Sequence, residues 1–108
     1  MEVIGEAANG EEAIGETKRL NPTVVIMDFD LPGMSGTETT TVIKLQCPET
    51  TIIGLKAGVP GDVEYAMINA GAAAVLNKEE MRNVLQPIIV QAVTASRTST
   101  FLLTSVSS

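Results

Sequence analysis

Residues 24–36 read Val-Val-Ile-Met-Asp-Phe-Asp-Leu-Pro-Gly-Met-Ser-Gly. An apolar, largely β-branched run is cut off by Asp28, and a Pro-Gly turn follows almost at once. A continuous hydrophobic run fits a strand buried on both faces, the habit of parallel sheets covered by helices. Open α/β sheets place their chemistry outside the carboxyl ends of the strands. A carboxylate there is anchored by a rigid strand and sits at the sheet rim. Asp28 is therefore the first candidate for a functional residue.

The rest of the chain supplies partners for such a strand. Residues 2–8 alternate loosely and predict a short strand, followed by the turn Asn9-Gly10. Residues 11–20 predict a helix, acidic in its first turn and closing on Lys18-Arg19, as the helix dipole favours. Asn21-Pro22 breaks it, and residues 23–29 form the second strand. A helix over 35–46 is predicted from Ser35 with Glu38 three residues on, the spacing of a capping box. Its Thr39-Thr40-Thr41 run is a poor helix interior, and Pro48 ends it. A third strand is expected over 50–55, a third helix over 60–70 with Gly71 as its stop, and a fourth strand over 72–76. A last helix is expected from 79 to about 96, kinked near Leu85 by Pro87. Alternating strands and helices imply an open parallel sheet with right-handed crossovers.

At 108 residues this is one small domain, burying roughly two-thirds of its unfolded surface. The chain is 44% hydrophobic but only 3% aromatic, so aliphatic side chains must build the core. Its net charge of −6 disfavours direct nucleic-acid binding. With no histidine, imidazole chemistry and imidazole metal ligation are excluded. The single cysteine, Cys47, rules out an intrachain disulfide and fits a reducing compartment. No apolar run is long enough to span a bilayer, so a soluble cytoplasmic domain with no membrane partner is expected.

Several of these segments together resemble the receiver domain of two-component response regulators. The likeness is carried by Gly5-Glu-Ala-Ala-Asn-Gly-Glu-Glu-Ala13, by the Asp28 segment with Leu31-Pro32-Gly33-Met34-Ser35-Gly36, by Ala70-Gly71-Ala72 and by Lys78. It covers residues 2 to about 93. The first segment is similar to receivers usually fused to a helix-turn-helix domain, which this chain lacks. The resemblance implies a flavodoxin-like, doubly wound parallel sheet and phosphoryl acceptance rather than enzymatic turnover. Asp28 would take the phosphoryl group from a histidine kinase or a phosphotransfer protein, and Lys78 would pair with it. Mg²⁺ would bind a carboxylate oxygen of Asp28 and the backbone carbonyl of Asp30. The face running from Pro60 to Leu76 would meet an output protein or a second copy of the chain.

The sequence also departs from the family pattern. Receivers begin with a strand ending in two acidic residues, then a helix; here residues 2–8 match the second strand, so both are absent. Weak Mg²⁺ binding follows. Lys56 stands where the family has the serine or threonine that detects the phosphoryl group. It could pair with Asp28 or extend into solvent. Val75 replaces the aromatic residue that moves when receivers switch. Three readings stay open: a phosphoacceptor, a phosphorylation-independent pseudo-receiver that acts as an interaction module, and a partial chain with no activity of its own.

The absent strand is the central one in the family order of second, first, third, fourth, fifth. The expected organisation is a receiver-like domain over residues 1–97 and a Ser/Thr-rich tail over 98–108. On composition that tail is a loose end. Its apolar centre offers another role, a strand over 101–106 filling the empty slot, with Ser107 and Ser108 near the lost acidic pair. Other acidic residues have simpler roles: Asp62, Glu64, Glu79 and Glu80 complement helix dipoles, and the side chain of Asp30 faces solvent. Cys47 packs at a helix end. Val84, Leu85, Ile88, Ile89 and Ala92 form a core-facing stripe.

Overall fold

Helix ends are set by the residues the sequence singles out. In the computed structural model, which describes residues 2–57, 61–77 and 100–104, α1 (Gly10–Leu20) starts at Asn9. The Asn9 side chain accepts the Glu12 N–H at 2.9 Å. Asn21 closes α1 in the left-handed region, its N–H donating to the Thr17 carbonyl. α2 (Gly36–Gln46) is capped by Ser35, whose Oγ accepts the Glu38 N–H at 3.1 Å. α3 (Gly61–Ala70) ends on Gly71 at φ 119°. There Gly71 N–H donates to Ile68 and Ala72 N–H to Met67, the paired bonds of a Schellman stop.

The strands are β1 (Glu2–Ala7), β2 (Val24–Asp28), β3 (Thr51–Lys56), β4 (Ala74–Asn77) and β5 (Thr100–Thr104). They form one sheet in the order β1-β5-β2-β3-β4, with every pairing parallel. The receiver-type α/β sheet expected from the sequence is present. β5 lies between β1 and β2, the position that the family order gives to the first strand. Its three apolar residues Phe101, Leu102 and Leu103 pair with Val24, Val25 and Ile26. The loose end expected on composition alone therefore gives way, over residues 100–104, to a strand held on both sides.

Both faces of the sheet are buried. Val25, Met27, Ile52 and Leu102 pack with Ala13 of α1, Ile43 of α2 and Met67 of α3. Val24, Ile26, Ile53, Leu55 and Leu76 form a second cluster on the opposite face. The strand alternation divides β2 between them, so all five of its residues are buried. Expectations for the helix from 79 to 96, for Lys78 and for Ser107 and Ser108 lie outside the described residues.

Candidate functional site

The carboxyl end of β2 is fixed on three sides. Asp28 pairs in register with Leu55 of β3, and the next residue, Phe29, donates its N–H to the Leu55 carbonyl at 2.9 Å. Toward β5, the Asp28 N–H donates to Thr104 Oγ1 at 2.8 Å, and that hydroxyl donates to the Ile26 carbonyl at 3.0 Å. Thr104 thus continues the ladder through its side chain where regular pairing stops. Below, α2 approaches so closely that a Cβ on Gly36 would lie 2.6 Å from the Asp28 carbonyl oxygen and 2.7 Å from Phe29 Cα. Only glycine permits that contact, and the Gly36 N–H uses it to donate to the Phe29 carbonyl at 3.0 Å.

Asp28 is only 4% exposed. Its Oδ1 accepts the Asp30 N–H at 2.9 Å, a local turn in which the carboxylate organises its own loop. Gly33, at φ 78°, completes the turn that the Pro-Gly pair signals. The carboxylate therefore sits at the strand end in a defined orientation. A shallow hollow of about 220 Å³ lies along the same loop, lined by Asn9, Glu11, Pro32, Gly33 and Met34. Asp28 is not part of its lining.

Lys56 ends β3, one residue beyond the partner of Asp28. Its Nζ lies 3.4 Å from Asp30 Oδ2 and 5.2 Å from the centre of the Phe29 ring. This is neither of the two placements expected from the sequence: the ammonium lies over the Phe29 ring and pairs with Asp30. Asp30 is half exposed, as expected, but engaged. Asp28, Asp30 and Lys56 thus meet at one rim. Among the described residues no three histidine, cysteine, aspartate or glutamate side chains lie together as a metal-binding group.

Val75, at the place of the family's mobile aromatic, is buried in the main core cluster. A Cβ on Gly54 would lie 3.2 Å from its Cγ2, so the small residue on β3 makes room for it. Asp62 and Glu64 stand in the first turn of α3, and Cys47 is the C-cap of α2, half-buried against the core. Thr104 and Gly36 were not singled out by sequence reasoning. The signal for Gly36 was its place at the start of a predicted helix close behind a strand. Thr104 carried none, because its role depends on a pairing between residues far apart in the chain.

Comparison with known proteins agrees with this architecture. The family model described as "Response regulator receiver domain" matches residues 1–90. The chain is 44% identical over 80 residues to protein-glutamate methylesterase/protein-glutamine glutaminase 1 of Syntrophus aciditrophicus, a match covering 72% of this chain and 23% of that protein. It is 33% identical over 78 residues to the response regulator protein VraR of Staphylococcus aureus, covering 72% of this chain and 37% of VraR. The chain thus spans well under half the length of these curated relatives. Among solved structures, a LuxR-family two-component response regulator from Aurantimonas sp. SI85-9A1 superposes with a TM-score of 0.72 at 25% identity. That alignment covers 87% of this chain and 66% of the other. A strand-end aspartate on this parallel sheet and a family match over most of the sequence lead to one conclusion: the chain belongs to the response regulator receiver family.

Proposed function

We propose that this chain receives a phosphoryl group on Asp28 from a phosphohistidine of a histidine kinase or phosphotransfer protein. The observation that carries this reading is the carboxylate itself, held at the carboxyl end of β2 and oriented by the Asp30 N–H. One carboxylate oxygen attacks phosphorus in line. The O–P bond forms as the N–P bond breaks, and the departing imidazole nitrogen keeps the electron pair and takes a proton from solvent. The protein's part in such a transfer is positioning and charge neutralisation. Lys78, by family resemblance, supplies a cation to the phosphoryl oxygens. As a receiver, the domain is regulatory rather than enzymatic.

Receiver domains typically bind Mg²⁺ at the phosphorylation site. Among the described residues the donors at this rim are the Asp28 carboxylate and the backbone carbonyl of Asp30, while β5 brings the Thr104 hydroxyl to the flank of β2. Mg²⁺ demands near-ideal octahedral oxygen coordination and favours carboxylates. Two protein donors and a neutral hydroxyl do not fit a dedicated site, so weak binding is expected. No described helix is long and apolar enough to cross a membrane.

A second reading is favoured by Val75. Buried beside Gly54 and Met67, it has no ring to swing between core and surface. The face from Pro60 to Leu76 would then be held in one state and bind an output protein whether or not Asp28 is modified. The two readings separate in one assay. The intact chain is incubated with phosphoramidate, and the mass of the wild type is compared with that of Asp28→Asn. A single added phosphoryl group, absent from the variant, is the expected result. An unmodified wild type overturns the phosphoacceptor reading and leaves the interaction module.

A further inference from the structure

The geometry points to Lys56 as the cation that this chain uses on the phosphoryl group in place of a tightly bound divalent metal. The inference rests on the phosphoacceptor reading above and adds to it a ligand and a metal requirement. Phosphoryl transfer spreads negative charge over three oxygens, and that charge needs a positive partner. Among the described residues the donor set at Asp28 is poor for Mg²⁺, with no group of three metal-binding side chains. What the rim holds instead is an ammonium.

Three observations place it for that task. Lys56 leaves β3 one residue past Leu55, the register partner of Asp28, so its stem starts beside the phosphoacceptor. Its Nζ is 3.4 Å from Asp30 Oδ2, and the Asp30 N–H is in turn bonded to Asp28 Oδ1 at 2.9 Å. The ammonium is thus one residue of hydrogen-bonded loop away from the carboxylate. The Phe29 ring, 5.2 Å from Nζ, keeps the stem at the rim rather than in open solvent. Its present partner holds it weakly, because the Asp30 side chain is 51% exposed and the pair is screened by water.

A phosphoryl group on Asp28 changes the balance. It brings a charge of nearly −2 against the single charge of Asp30. A flexible four-carbon stem lets the ammonium turn from one to the other without moving β3. In the family a neutral hydroxyl at this position senses the phosphoryl group; here a full positive charge both neutralises and senses it. Transfer to Asp28 should therefore proceed with little dependence on Mg²⁺.

The test uses the full chain and phosphoramidate, with EDTA or with excess Mg²⁺. The carboxylate oxygen forms the O–P bond, the P–N bond breaks, and ammonia leaves with its electron pair and protons. Acyl phosphate on Asp28 is followed by intact mass, and amide NMR spectra check that each variant is folded. The wild type is expected to label in EDTA at a rate within about twofold of that in Mg²⁺. Lys56→Gln and Lys56→Thr are expected to slow labelling in EDTA by about ten- to a hundredfold, the scale of one lost charge-assisted contact. Lys56→Arg should retain most of the rate. A merely structural lysine would not alter the ratio of EDTA to Mg²⁺ rates. Labelling of the wild type only with Mg²⁺, or equal labelling of folded Lys56→Gln in EDTA, overturns the role of Lys56 and leaves Asp28 as acceptor. No labelling under either condition overturns the acceptor reading, and this inference with it.

Discussion

The two sides of the sheet are built differently. Between β2 and β3 the residues pair one for one, from Val24 with Thr51 to Asp28 with Leu55, and the two strands are joined through α2. Between β1 and β5 the register shifts at Val3 and Gly5, and the strands come from opposite ends of the chain. Gly5 is where the shift is accommodated. A Cβ there would lie 2.7 Å from Leu20 Cδ1 and 3.1 Å from Leu102 Cδ1, so its absence lets α1 and β5 close over β1. The regular side can form from neighbouring segments at small loop-closure cost. The irregular side joins segments far apart in the sequence, at a larger loop-closure cost. Asp28 sits on the seam, with β3 on one flank and Thr104 of β5 on the other.

The largest expected effect comes from removing the late strand. Without residues 98–108, β1 loses its hydrogen-bonded neighbour in the sheet and β2 loses one of two. Leu102, fully buried, goes as well; truncating a single leucine of that kind costs about 2–5 kcal/mol. Small domains have about 5–15 kcal/mol in all. The shortened chain is expected to lose its cooperative thermal transition and its amide dispersion. An unchanged melting curve would show that the β1–β5 side contributes nothing to global stability, and the contrast between the two sides would collapse.

A smaller effect should come from the seam alone. Thr104 is buried, and its hydroxyl serves both the Asp28 N–H and the Ile26 carbonyl. Thr104→Val keeps the shape and strands both backbone groups, at a cost of about 1–3 kcal/mol. The control is Thr50→Val on the regular side, where a buried hydroxyl donates one longer bond, 3.3 Å, to the Pro22 carbonyl. Chemical denaturation should find Thr104→Val the more destabilised, with the Asp28 amide resonance displaced. Equal losses would mean that the seam is no more demanding than the strand's other end.

How much of this could be read in the sequence follows the same division. The Val24–Asp28 strand, the Ser35 cap and the Gly71 stop are local: an apolar run, a capping spacing and a left-handed glycine each act within a few residues. β5 is not local. Thr100–Thr104 carries three apolar residues in a Ser/Thr-rich stretch, too weak a signal to separate a strand from a loose end until β1 and β2 are seen to leave a slot for it. For the same reason the hydroxyl that accepts the Asp28 N–H belongs to Thr104, a residue with no local signal; the expectation that Ser107 and Ser108 lie near the lost acidic pair falls outside the described residues. Lys56 was legible as an unusual residue at the rim but not in its partner. A four-carbon stem reaches Asp30, Asp28 or solvent equally well, and the Phe29 ring helps decide.

The smallest effect, and one of opposite sign, is expected inside α2. The Thr39-Thr40-Thr41 run looks like a weakness in a helix, yet Thr39 and Thr41 each donate their hydroxyl to the carbonyl four residues back, at 2.8 and 3.0 Å. Thr40 is different: it is fully buried, and its Oγ1 has no hydrogen-bond partner among the described residues. A buried hydroxyl without a partner has lost its water and gained nothing. Replacing it by a methyl group of similar size removes that penalty at little cost in helix propensity, since valine and threonine rank together. Thr40→Val should therefore be neutral or stabilising by up to about 1 kcal/mol in chemical denaturation. The same exchange at Thr104 is expected to destabilise. If Thr40→Val costs as much as Thr104→Val, the penalty lies in packing threonine-shaped cavities and not in the hydroxyl bonds. The seam at Asp28 would then owe its rigidity to something other than Thr104.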